Sequence, residues 1–433
     1  MISAVSQSST RGTNKNLHSA KKMTLPLLLL GALSVQNASQ GQNYVFERTF
    51  GATVLNRPNS VAVDTSGNAY VADTLNNQIV KFDQAGNVVW TASGPLGTIT
   101  TLRSPSGIAL DSLNNVYVAN SGNNSIVKFD SSGAYLSAFG GNGIANDHFN
   151  FPFSVKIDAN GNIFVADTLN DRVQKFDANA NYLQTFGSNG SGNGQLRGAA
   201  DVAIDSQGFV YVADLDNARI MKFDSSGNYV SQFGNTGPLD TQTSSAGGIT
   251  IDSRGDVFVS APNIHDQIQK YSPVGAYLGF FGSFGTQNGQ FYNCEGLSFD
   301  STGRLFVADY DNNRIQVFIP VVVNVDASVT VFRGGLTFSH ATQRFHQKVR
   351  IKNMTAKTIT GPISLVLQNL SSNATLYNPT GSTMNLSPVG SPYSEIAVDL
   401  AGHKSVVFTL EFINPTKAPI TYSPSVYAGP GYH

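Results

Sequence analysis

Six aspartates, Asp64, Asp111, Asp158, Asp205, Asp252 and Asp300, recur along this 433-residue chain at steps of 47, 47, 47, 47 and 48. A fixed period of this length marks stacked or radial supersecondary units, none of which buries its apolar face without its neighbours. Each unit reads as four short β segments. In the third unit they are residues 154–158, 163–167, 173–177 and 181–187, with a turn at Asn160-Gly161-Asn162. Ahead of each aspartate, apolar residues alternate with small ones: Val61 and Val63, Ile108 and Leu110, Val155 and Ile157, Val202 and Ile204, Ile249 and Ile251, Leu297 and Phe299. Period-two alternation of this kind is a strand signal, and four antiparallel strands per repeat make a propeller blade.

The sixth unit has only three such segments before Pro320. The form that closes other units, an aromatic residue, three residues and Phe-Gly, appears instead before the first unit, at Phe46 to Gly51. The amino-terminal segment is therefore expected to complete the last blade, which removes an open sheet edge. The predicted fold class is all-β, a six-bladed β-propeller over residues 44–319 closed by an N-terminal strand. Composition agrees: charged residues are 13%, against about 25% in typical soluble domains, and the 42 glycines suit many tight turns.

Residues 1–41 read as a signal peptide, with Lys21 and Lys22 ahead of an apolar run from Leu25 to Val35. Such a run is too short to span a bilayer, which needs about 20 residues. An uncleaved interfacial anchor and a true start at Met23 are the alternatives. The expected location is secreted or cell-surface, with no stable membrane insertion after signal removal. Net charge is −1 without a basic cluster in the repeats, so no nucleic-acid partner is expected. Cys294, the only cysteine, excludes an intrachain disulfide.

Pro58 to Asp64, Gly67 to Thr74 and Asn76 to Asp83 resemble the NHL repeat, and the resemblance recurs six times over residues 44–319. It implies a β-propeller, and members of the family include RNA-binding domains, extracellular sensors and a zinc-dependent amidating lyase. That lyase holds zinc through histidines on inner strands. The residues following the Pro58 position in this chain are Asn59, Ser106, Phe153, Ala200, Gly247 and Glu295. None is His, and the propeller contains only His148 and His265, so a three-His zinc site cannot be built.

Within the repeats, Asp167 is spaced to pair with Arg172, Asp214 with Arg219 and Asp309 with Arg314, and the second unit has Asn120 and Ser125 in these places. Structural pairs across a tight loop account for this covariation. Residues 309–313 imitate half a calcium loop, but Arg314 stands where Gly is needed and Pro320 where a bidentate Glu is needed.

Departures from the repeat on the channel-mouth face are the candidates for function. Lys156 stands where other units have Ala62, Ala109, Ala203, Thr250 and Ser298, and Asp201 where others have Ser or Gly. The two are read either as a polar-ligand site or as a salt bridge between neighbouring blades. Glu295 is a third charge at the same mouth or a solvated residue. His148 lies in an inter-blade loop, and His265 in the loop whose one-residue insertion produces the single step of 48.

From about Val321 a different β pattern begins, and residues 321–433 are expected to form an immunoglobulin-like β-sandwich. Strands are predicted at 347–352, 363–367, 374–377, 395–398, 406–412 and 420–426. No catalytic set, metal or cofactor is evident. The sequence points to an exported binding or scaffold protein that takes a protein, glycan or small ligand at the channel mouth. The alternative is a propeller lyase or lactonase with a metal at the central channel.

Overall fold

The computed structural model describes residues 44–429, apart from 98, 235–246, 263–265, 322, 360 and 383–389. The signal-peptide expectation and His265 therefore lie outside the described residues. The described chain is all-β. Its first part contains six four-stranded antiparallel sheets, consistent with a β-propeller.

Five of these sheets are sequential meanders, such as Pro152–Ile157, Ile163–Asp167, Arg172–Phe176 and Tyr182–Phe186. The sixth joins Cys294–Phe299, Leu305–Asp309 and Arg314–Pro320 to the amino-terminal strand Tyr44–Phe50. That strand runs antiparallel to Arg314–Pro320, with Tyr44 opposite Pro320 and Phe50 opposite Ile315. The first strand of each sheet touches the first strand of the next, and the sixth touches the first, so the six inner strands close a ring around a channel.

The periodic aspartates explain themselves in the turns that end the inner strands. In every unit the aspartate Oδ1 accepts the backbone N–H groups two and four residues on, as Asp158 does from Asn160 at 2.9 Å and Asn162 at 2.8 Å. A short carboxylate at this position satisfies turn donors that no strand reaches. The alternating apolar residues fill clusters between sheets: Val202, Val210 and Val212 pack with Phe164, Val173 and Phe186 of the preceding unit. Hydroxyls staple the same boundaries, since Thr74, Ser121 and Thr168 each donate to the carbonyl of the next inner strand, at Pro105, Pro152 and Ala199.

Residues 323–428 form two further sheets that share one core, including Val349, Ile351, Leu365, Leu367, Phe408, Leu410, Phe412 and Val426. One sheet contains Ile363–Gln368, Pro392–Ile396 and Ser423–Ala428, and the other Val329–Arg333, Arg344–Asn353 and Ser405–Ile413. Val329–Arg333 and Thr337–Ser339 are strands that the sequence pattern does not reveal, because both are exposed or half-buried and lack clean alternation. Arg254, in a turn of the fifth repeat sheet, donates to the Gly361 carbonyl at 2.6 Å and ties the two parts together.

Candidate functional site

The inner strands approach most closely near their beginnings. A side chain at Gly107 would meet the Ser154 Cα, one at Gly248 the Glu295 carbonyl, and one at Gly296 the Ser60 Cα, all within 3 Å. These glycines let neighbouring backbones touch, and the channel closes there to a gap of about 10 Å³, room for a single water. Asn59, Phe153, Asp201 and Glu295 line the gap from the side of the inter-sheet loops, which is the channel mouth. On the other side, towards the aspartate turns, the channel widens into a cavity of about 450 Å³.

Asp201 is a structural element of this constriction. Its Oδ1 accepts hydrogen bonds from the Ser154 hydroxyl and from the Val202 N–H at 2.8 Å, and its Oδ2 accepts the Ile249 N–H at 2.9 Å. Three sheets are thereby joined through one buried carboxylate. Lys156 Nζ lies 3.4 Å from the same Oδ1. The structure thus brings Lys156 and Asp201 together as an ion pair between adjacent sheets, but it separates Lys156 from Glu295. Lys156 lines the wide chamber and Glu295 the constriction. The three do not share one mouth, because Lys156 lies three residues further along its inner strand than Phe153, the position equivalent to Glu295, and the ring narrows between the two.

Glu295 is half-buried, retaining some surface towards the mouth while protein crowds its carboxyl elsewhere. Burial, followed by the charges of Asp201, Asp311 and Asp266, pushes its pKa up to about 8. Its carboxyl oxygen lies 3.0 Å from where a side chain on Gly247 would begin, and no hydrogen bond reaches it among the described residues. In ring order Glu295 belongs to the sixth sheet and Phe153 to the third, so they stand on opposite sides of the mouth. Between them lie the small or short side chains of Ala200 and Gly247 on one side and Asn59 and Ser106 on the other.

Phe153 stacks on Phe151 at 6.1 Å. Phe151 is 37% exposed and has φ +56°, a left-handed backbone that a bulky side chain adopts only at a cost. The equivalent residue of the next unit is Gly198, which meets the same conformation without strain. Further aromatic surface on this face comes from Phe284 and Tyr292, packed edge to face at 5.2 Å, and from Tyr310 beneath the Arg57 guanidinium.

His148 is exposed, its Nδ1 lies 2.5 Å from Asp147 Oδ1, and it does not line the channel. Its backbone carbonyl accepts from Arg172 and Gln174, so the residue serves loop anchoring. Asp167–Arg172, Asp214–Arg219 and Asp309–Arg314 are each in contact at 2.7 Å. The second unit keeps a neutral version, with Asn120 Nδ2 donating to Ser125 Oγ at 3.1 Å. In all four, the first residue also accepts a backbone N–H of the preceding loop. Among the described residues no three His, Cys, Asp or Glu side chains converge as metal ligands.

Residues 55–82, 102–129 and 291–318 match the NHL repeat. The chain carries NHL repeats. They cover parts of the first, second and sixth units. Similar solved structures, β-propellers, include a streptogramin B lyase at 11% identity and TM-score 0.48, covering 66% of this chain and all of that one. A gluconolactonase from Xanthomonas campestris aligns at 15% identity and TM-score 0.46, over 61% of this chain and 86% of its own. Virginiamycin B lyase from Staphylococcus aureus aligns at 13% identity and TM-score 0.44, over 71% and 95%. No curated protein matches the chain. Against the NHL period, the sequence signal for Phe151 was available: an aromatic residue aligned with Arg57, Ser104, Gly198 and Asn293 is the outlier of that column.

Proposed function

We propose that this chain is an exported, six-bladed NHL-repeat binding protein with a trailing immunoglobulin-like sandwich, and that it takes a glycan, protein or small ligand at the channel mouth. The observation that carries this reading is the opposition of Phe153, half-buried beneath the strained and exposed Phe151, to a Glu295 carboxyl without a hydrogen-bond partner among the described residues. An aromatic platform accepts the apolar face of a sugar or an alkyl ammonium, and a carboxyl opposite it accepts a hydroxyl or ammonium donor. Such a pair recognises a ligand without needing to react with it. Removal of residues 1–41 on export and a boundary between the propeller and the sandwich near residue 321 belong to the same proposal.

A binding screen of the purified protein against glycans and alkyl amines tests it, run in parallel on wild type, Phe153→Ala and Glu295→Gln. Ligands that bind wild type are expected to be lost or weakened in both variants. Ligands that bind all three equally would remove the mouth from consideration. The second reading, a lyase or lactonase with a channel metal, is favoured by one observation, a mouth carboxyl whose pKa near 8 suits acid–base work. A stoichiometric divalent ion in the purified protein, lost in Glu295→Gln, would support that reading over simple binding.

A further inference from the structure

The wide end of the channel is a separate chamber. Its wall is formed by the later halves of the inner strands, where Ala62, Ala109, Ala203, Thr250 and Ser298 occupy the position that Lys156 holds in the third sheet. Five small side chains leave the lumen open, and the sixth is the one cation among the described residues that line it. The cavity of about 450 Å³ falls in the range of small-molecule sites. The constriction seals its inner end to anything larger than water.

Lys156 is not consumed by its ion pair. Asp201 is already held by the Ser154 hydroxyl and two backbone N–H groups, so its charge is satisfied without the ammonium. The contact of 3.4 Å is long for a charge-assisted hydrogen bond, and an ammonium has three donors. The other charges of the chamber are the rim carboxylates Asp158 and Asp205. Asp158 accepts the N–H groups of Asn160 and Asn162 and the Asn162 amide, and Asp205 those of Gln207 and Phe209 and the Tyr211 hydroxyl. Two carboxylates at the rim disfavour a second negative charge on a ligand. Ile108, Leu110, Ile157, Ile204 and Ile251 supply apolar wall.

We propose that this blind chamber binds a small organic monocarboxylate, with the carboxylate on Lys156 Nζ and the apolar body against the isoleucine and leucine wall. The site is independent of the mouth and of the reading given for it.

Calorimetric titration with benzoate, and with benzamide as its neutral isostere, tests the proposal. Benzoate is expected to bind wild type and to bind Lys156→Met at least about tenfold more weakly, the loss that one charge-assisted contact carries. Benzamide should show the same weakening against wild type. Lys156→Arg should retain binding, and Thr250→Phe, which fills the chamber while leaving Lys156 in place, should abolish it. Unchanged thermal midpoints establish that each variant folds. Glu295→Gln should leave benzoate binding unaltered, which keeps this test separate from that of the mouth. Equal affinity for benzoate and benzamide, unaltered benzoate affinity in Lys156→Met, or no benzoate binding to wild type at about 10 mM would each overturn the proposal.

Discussion

The two ends of the inner strands are made by the same repeat and behave in opposite ways. At the turn end, six aspartates perform one task, each accepting two backbone N–H groups of the following turn. At the mouth end, the equivalent residues are Asn59, Ser106, Phe153, Ala200, Gly247 and Glu295, with no shared chemistry. Turn geometry holds the first set constant, since any unit that lost its carboxylate would leave donors unsatisfied. No common task holds the second set: Asn59, Ser106, Ala200 and Gly247 are buried, and only Phe153 and Glu295 keep part of their surface for a ligand. Regularity in a repeat protein therefore reports architecture, and the places released from it report where binding is possible.

Breaking the regular features should cost most. Asp214→Ala strips the partner from Arg219, which is only 3% exposed, and is expected to destabilise the fold by about 3–5 kcal/mol, measured by denaturant unfolding. A double variant, Asp214→Asn with Arg219→Ser, copies the neutral second unit and should recover part of that loss. Asp158→Ala removes the acceptor of three turn hydrogen bonds and is expected to cost about 2 kcal/mol in the same assay. A loss below the error of the measurement would separate the aspartate period from turn formation.

Glu295 sharpens the comparison through pH. Its folded pKa, raised from 4.5 to about 8, means that the folded protein holds a proton which the unfolded chain has released. Stability contributed by this group is therefore greatest below the unfolded pKa and declines as pH rises through that window, by up to about 1.4 kcal/mol per unit. Glu295→Gln should flatten the decline between roughly pH 5 and 8; an identical slope in wild type and variant would show that the carboxyl is not crowded as described. The smallest effect on stability is expected from Phe151→Gly. Relief of a left-handed backbone, about 1 kcal/mol, offsets the lost ring stacking, so the thermal midpoint should hardly move while binding at the mouth weakens.

Much of the fold is legible in the sequence. The spacing of the aspartates, the alternation ahead of them and the Phe46 to Gly51 segment together indicated the strand order and the pairing of Tyr44–Phe50 with Arg314–Pro320. The simultaneous change to Asn120 and Ser125 indicated side chains in contact, as they are. The site was less legible. Lys156 and Glu295 look like neighbours because both depart from the repeat near the channel, but Lys156 lines the chamber and Glu295 the constriction. Gly107, Gly248 and Gly296 look like ordinary small residues in a strand, and only the approach of a neighbouring backbone makes them the constriction of the channel.

The sequence by itself determined the all-β class, the repeat and its NHL character, because period and turn chemistry are local properties that survive in every unit. The tertiary structure alone decided which departures meet. Closing a ring of inner strands sets Phe153 across from Glu295, joins Lys156 to Asp201 and narrows the channel between them, and these distances depend on how whole sheets pack, which no single repeat encodes.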